Sequence, residues 1–168
     1  MKKLIVPISL LLIILFIGCI KNTPATNSDS KVEFDAATWF SNSVGVTYPI
    51  IAGVPNFGNN TLAANLGRTS PTFQVRVNLL GPQRSTATVF NYTVVPVETT
   101  AIAGTHYATL SGVGTIPANS SYGYIDIKPL DPGVSSTTPV TLVLELQTNN
   151  SVTANVNYAK IGLSISQL

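Results

Sequence analysis

Apolar residues are distributed along this chain in two ways. Between Leu4 and Gly18 they form one nearly continuous block. After Lys31 they fall at every second position, the period of a strand with one buried face. The clearest case runs from Thr72 to Leu80, where Phe73, Val75, Val77 and Leu79 alternate with Gln74, Arg76 and Asn78, before a turn at Gly81-Pro82-Gln83-Arg84. Thr86–Val97 reads as a long strand, with Thr88, Phe90, Tyr92 and Val94 on one face and Val89, Asn91, Thr93 and Val95 on the other. Gly112–Ile116 is a short strand closed by Pro117-Ala118-Asn119-Ser120. In Tyr122–Lys128 the alternation leaves the inward face open: either Tyr122, Tyr124 and Asp126, or Ile125 and Ile127. Asp131-Pro132-Gly133 makes a turn, and Val140–Gln147 and Tyr158–Ser166 are the last two strands. No stretch after Lys31 carries a helical period. Short strands punctuated by Gly, Pro and Asn predict an all-β fold, an antiparallel immunoglobulin-like β-sandwich.

The segment from Val32 to Leu66 is less regular. Val44–Ile51 reads as an edge strand, because Pro49 has no N–H to give to a central ladder, and Asn56–Asn60 as an exposed loop. These are taken as the first strands of the same unit, so that residues 32–168 form a single domain.

The apolar block belongs to a different kind of element. Met1-Lys2-Lys3 ahead of it and Phe16-Ile17-Gly18-Cys19 at its end follow the pattern of an export signal. The last four residues resemble the lipobox of bacterial lipoproteins, with Phe16 where Leu is usual. That resemblance implies a signal peptide over residues 1–18, cleavage before Cys19, lipid (palmitate among the chains) on its thiol, and a flexible polar spacer over 19–31. The competing reading is an uncleaved anchor from Leu4 to Ile20, short for a bilayer span and containing Pro7. Cys19 is the only cysteine, so the lipid site takes the one thiol and no disulfide is available.

Charge and composition then narrow the function. Two of the nine basic residues are Lys2 and Lys3, so the chain after Cys19 balances seven bases against seven acids. That excludes the basic stripe a nucleic-acid binder needs. Thr, Ser and Asn make up about a third of the same stretch, the composition of exposed strands and turns. No Asp follows Cys19, as an inner-membrane retention signal would require, and only Asp29 stands in the spacer. Attachment to the outer membrane, facing the periplasm or the cell surface, is therefore expected.

From about Thr72 to the C-terminus the chain resembles a Calx-β domain, an immunoglobulin-like sandwich of the kind carried by Bacteroidetes-type lipoproteins. The matching stretches are Ala87–Val94, Ala103-Gly104-Thr105-His106-Tyr107, Gly114–Ser120 and Ile125-Asp126-Ile127. The most specific is Ala-Gly-Thr-His-Tyr, similar to the family's Ala-Gly-Thr-Asp-Tyr, where the Gly makes a bend and the Tyr packs inward. Calx-β domains bind calcium through clustered carboxylates. Here the run after the Ile125–Ile127 strand holds a single acid, Asp131, and His106 stands where the family has an aspartate. Calcium takes six to eight oxygens with several carboxylates among them, so Asp131 is a weak calcium candidate. No cofactor is expected.

The remaining chemistry is sparse. His106, the only histidine, has no neighbouring nucleophile motif and reads as a turn residue. Asp126 and Glu145 would make a glycosidase pair only if they converged in a cleft. Trp39, Phe40, Tyr48 and Phe57 are candidate ligand-binding aromatics, a stacking platform for glycan or peptide, set against the plainer role of covering the end of the sandwich. The expectation is a non-enzymatic cell-envelope lipoprotein serving as an accessory or binding component of an outer-membrane complex. A structural or adhesive subunit assembling by strand exchange is the alternative, and a hydrolase ranks third.

Overall fold

Eight residues from Phe73 to Leu80 bury every second side chain, and this strand organises one of two facing sheets. The computed structural model describes residues 29–168. The expected signal peptide, Cys19 and most of the spacer lie outside the described residues. The strands are β1 (Lys31–Phe34), β2 (Ile50–Ile51), β3 (Gly53–Pro55), β4 (Leu62–Asn65), β5 (Phe73–Leu80), β6 (Thr88–Val94), β7 (Val113–Ile116), β8 (Tyr122–Ile127), β9 (Ser136–Gln147), β10 (Thr153–Ala154) and β11 (Lys160–Gln167), with one helical turn, α1 (Asp35–Trp39), after β1.

Sheet A runs β10-β1-β5-β8 and sheet B runs β2-β11-β9-β6-β7, while β3 and β4 form a separate hairpin. Between the sheets lie Val32, Phe34, Val75, Val77, Phe90, Ile116, Ile127, Leu142, Leu144, Ile161, Leu163 and Ile165, all essentially without solvent contact. These are the inward members of the alternating pairs, and burying such side chains supplies the main driving force for folding. In β8 the inward face is Gly123, Ile125 and Ile127, so Tyr122, Tyr124 and Asp126 point outward. Gly123 is required there, since a Cβ would collide with the Thr115 carbonyl of β7. That close approach seals β7 against β8 at one side of the sandwich.

Several boundaries differ from the sequence expectation. The sheets are mixed, because β1 pairs in parallel with β10 and β2 in parallel with β11. The N-terminal segment sends one strand to each sheet and so meets the later strands from the same direction. Lys31 already belongs to β1 and Ser30 is buried, with its carbonyl accepting from Thr153, so the spacer ends earlier than expected. Of Val44–Ile51 only Ile50–Ile51 is a strand, and the Pro49 carbonyl accepts from Gly162. The second strand stops at Val94 rather than Val97, whereas β9 starts at Ser136, ahead of Val140. α1 was not foreseen, because five residues are too few to display a period of 3.6.

Candidate functional site

The outward residues of sheet A line up in rows fixed by strand register. Glu33, Asn78 and Tyr122 share one row, Arg76 faces Tyr124, and Gln74 faces Asp126. A strand places alternate side chains on opposite faces, so the pattern that buries Val75 and Val77 also brings these polar and aromatic groups together outside.

Arg76 is the centre of this face. Its guanidinium lies over the rings of Phe57 and Tyr122, 5.5 and 5.2 Å from their centroids. Phe57 packs against Tyr124 at 5.3 Å with the planes tilted 45°, and Tyr122 meets Tyr124 edge-on at 5.6 Å. Phe57 and Tyr122 remain 38% and 42% exposed. Tyr122–Tyr124–Phe57 is thus a short aromatic arc with a cation held against it, and cation–π attraction adds about 0.5–1 kcal/mol at such exposed sites.

The arc is held from beneath by Asp35, the first residue of α1. Its carboxylate accepts from Arg76 at 2.7 Å, from the Asn78 amide at 3.0 Å and from the Gly58 N–H at 2.8 Å. Arg76 Nε also donates to the Asn78 side-chain oxygen at 3.0 Å. Gly58, at positive φ, lies in the turn that carries Phe57. Asp35 therefore joins the Phe57 loop to the sheet, and charge-assisted bonds of this kind are the stronger class of hydrogen bond. At the margins, Asp126 accepts from Gln74 at 3.0 Å, and Glu33 accepts from Asn155 at 2.7 Å. Burial pushes the Glu33 carboxyl up, the Asn155 bond opposes this, and the Asp35 charge adds to it.

Of the four aromatics singled out in the sequence, only Phe57 stands in this cluster. Tyr48 is buried, 5% exposed, beneath Lys160, whose ammonium lies 5.3 Å from the ring centroid. Burial, with Glu98 beside it, pushes the Tyr48 phenol up to about 12. Its ring is thus closed to a ligand, a correction to the expected platform. Phe40 packs against the core, and Trp39 is 48% exposed at the end of α1. Tyr122 and Tyr124 were missed as a site, because their two possible faces were indistinguishable in the sequence.

The other candidates separate. Asp126 lies on sheet A and Glu145 on sheet B, where Glu145 faces Lys160 at 4.0 Å, so the imagined carboxylate pair does not converge. Asp131 is ion-paired to Arg68 at 2.9 Å and accepts from the Gly133 N–H, which commits its carboxylate to the turn. Among the described residues no group of three or more His, Cys, Asp or Glu gathers as metal ligands would. His106 Nδ1 accepts from the Ile102 N–H at 2.9 Å, Gly104 takes positive φ, and Tyr107 is buried. The Ala-Gly-Thr-His-Tyr motif thus bends at its glycine and packs its tyrosine as the family resemblance implied. His106 also lines a shallow groove of about 410 Å³ with Thr100, Val134 and Gln167.

No family model and no curated protein matches the chain. Solved structures do. The Apo-form Calx CBD1 domain superposes with a TM-score of 0.54 at 16% identity, covering 82% of this chain and 98% of that one. The calcium binding domain CBD12 of CALX1.1 gives 0.50 at 20% identity, over 60% of this chain and 40% of the other. A "putative carbohydrate binding protein" from Bacteroides ovatus ATCC 8483 gives 0.51 at 12% identity, over 82% of this chain and 37% of that chain. The chain thus spans about two fifths of each of the last two. Residues 29–168 adopt a Calx-β-like immunoglobulin sandwich.

Proposed function

We propose that this chain is a non-enzymatic binding module of a lipid-anchored cell-envelope protein, and that the outer face of sheet A binds glycan. The observation that carries the reading is the Tyr122–Tyr124–Phe57 arc gathered around Arg76 and fixed by Asp35. Aromatic faces stack on the apolar faces of sugars, while neighbouring amides and carboxylates take the hydroxyls. Asn78, Gln74 and Asp126 flank the rings at strand-register distances, and preorganisation of this kind lowers the cost of binding. Similarity of fold to the Bacteroides ovatus protein accords with this reading.

Cys19 would tether the module to the outer membrane, in an accessory role beside an outer-membrane complex. Assembly by strand exchange is less favoured. Of the four edge strands, β2 and β10 are two residues long and β7 is four, while the six-residue β8 lies against β7 at Gly123, and short or covered edges are poor templates for strand addition.

The test is titration of the full-length chain in detergent with a panel of soluble polysaccharides. Tyr122→Ala/Tyr124→Ala should weaken binding at least tenfold, about 1.4 kcal/mol, with an unchanged circular dichroism spectrum. Equal binding by the double variant refutes the assigned face. For the anchor, Cys19→Ala should move from the membrane fraction to the soluble fraction; persistence in the membrane refutes lipidation.

A further inference from the structure

We propose that the face of sheet A selects neutral glycans presented as single chains, over acidic polymers and over crystalline polysaccharide surfaces. The inference rests on the glycan-binding reading and adds to it the class of ligand.

The charge of the face comes first. The cation between the rings, Arg76, is compensated by Asp35 at 2.7 Å, and Asp35 is 2% exposed. A carboxylate on a ligand would have to compete with one already buried beneath the guanidinium. The other charged groups on this face are Lys31 and Lys128 at the two ends of the alternation and Glu33 and Asp126 along it. Three bases thus meet three acids. The acids Glu33 and Asp126 share the register rows of Asn78 and Gln74 that flank the arc, whereas the two lysines stand at its ends. Charge complementarity governs encounter and the exclusion of wrong partners, and a face so balanced gives no attraction to a polyanion.

The geometry of the rings carries the second half. A crystalline polysaccharide presents a flat array, which coplanar rings would match. Here Phe57 is tilted 45° from Tyr124, and Tyr122 stands at 65° to Tyr124. Successive rings turn away from a common plane, so consecutive sugars that stack on them must be rotated relative to one another. A free chain allows that rotation and a crystal lattice does not. The Arg76 side chain holds the turn in place by lying against both Phe57 and Tyr122.

The discriminating experiment uses the detergent-solubilised full-length chain at low ionic strength. Affinity electrophoresis is run with neutral soluble polymers (xyloglucan, galactomannan, mixed-linkage β-glucan, amylopectin) and with polygalacturonate and alginate, and retention is measured on microcrystalline cellulose. The expected result is binding to at least one neutral soluble polymer tenfold or more tighter than to either uronate polymer, with no retention on cellulose. Tightest binding to a uronate polymer, weakening as salt is raised, overturns the preference for neutral ligands but leaves the glycan reading standing. Retention on cellulose overturns the single-chain preference. Binding to none of these polymers fails the glycan reading itself. Asp35→Asn should gain uronate binding several-fold by unmasking Arg76. Asp126→Asn, at an exposed position where the amide oxygen can still accept from Gln74, should gain in the same direction by a smaller factor. No gain in a folded Asp126→Asn or Asp35→Asn variant also counts against the charge argument.

Discussion

Arg76 and Asp35 are 2.7 Å apart, and the carboxylate of the pair is almost wholly buried while the guanidinium is one fifth exposed. The asymmetry decides their roles. Asp35 ties three partners from two segments, Arg76 and Asn78 of β5 and Gly58 of the β3–β4 loop, to the helical turn that it begins. Arg76 transmits that order to the aromatic rings at the surface.

Asp35→Ala is expected to destabilise the domain by about 3 kcal/mol. Breaking a buried pair by removing one partner costs about 3–5 kcal/mol, and the partial exposure of Arg76 places the value at the lower end, since solvent screens the cation left behind. Urea denaturation measures the loss. Hydrogen exchange should show the Gly58 amide losing protection well before the core strands, and a variant that keeps that protection would contradict the linking role of Asp35.

Glu33 should make stability fall as pH rises. Burial pushes its carboxyl above the ordinary value of 4.5, opposed by the Asn155 bond and reinforced by Asp35. Between the unfolded and folded pKa values the native state holds the extra proton, so its contribution is fully present below pH 4.5 and is lost as pH climbs through the folded value. Glu33→Gln removes that loss. Thermal melts should show the variant gaining stability over the parent at pH 7 and no such gain at pH 4.

Tyr48 gives a second signature at the alkaline end. Its phenol is held up to about 12, first by burial and then by Glu98. Below pH 10 it contributes no pH dependence. Between pH 10 and about 12 the unfolded chain loses this proton and the native state keeps it, so stability falls with rising pH. Ultraviolet titration should find a tyrosinate transition near 12 that is absent from Tyr48→Phe, and the variant should resist alkaline unfolding better than the parent.

Gly123→Ala should cost about 1–3 kcal/mol, the usual range for overpacking. The added methyl would run into the Thr115 carbonyl and crowd Ile116, which are backbone atoms unable to swing aside. Because Gly123 separates Tyr122 from Tyr124, glycan affinity should drop along with the urea midpoint. Parent-like stability would show that β7 does not abut β8 as closely as described.

Period-two alternation was enough to place β5, β6, β8, β9 and β11, and to set Phe73, Val75, Val77 and Leu79 on the buried face of β5; in β6 it separated Phe90 and Tyr92 from Asn91 and Thr93 and left the inward face to the packed structure. This works because a strand with one buried face writes its orientation into every second residue. The Ala103–Tyr107 motif was equally legible, since its bend depends on Gly104 and its anchor on Tyr107. The Cys19 reading rests on its four-residue context alone and lies outside the described residues.

What the tertiary structure alone decided are the relations between distant segments. Nothing local to Asp35 foretells that it is buried, because its partners lie 23, 41 and 43 residues away. Tyr122 and Tyr124 gave no sign of facing out until Gly123, Ile125 and Ile127 were seen to face in. Phe57 was legible as a loop aromatic, while Tyr48 was not legible as a buried one, since the cover that closes over it comes from β11. A hydrophobic period reports which way a side chain points; which segments then meet depends on strand register and long-range closure, which only the packed chain determines.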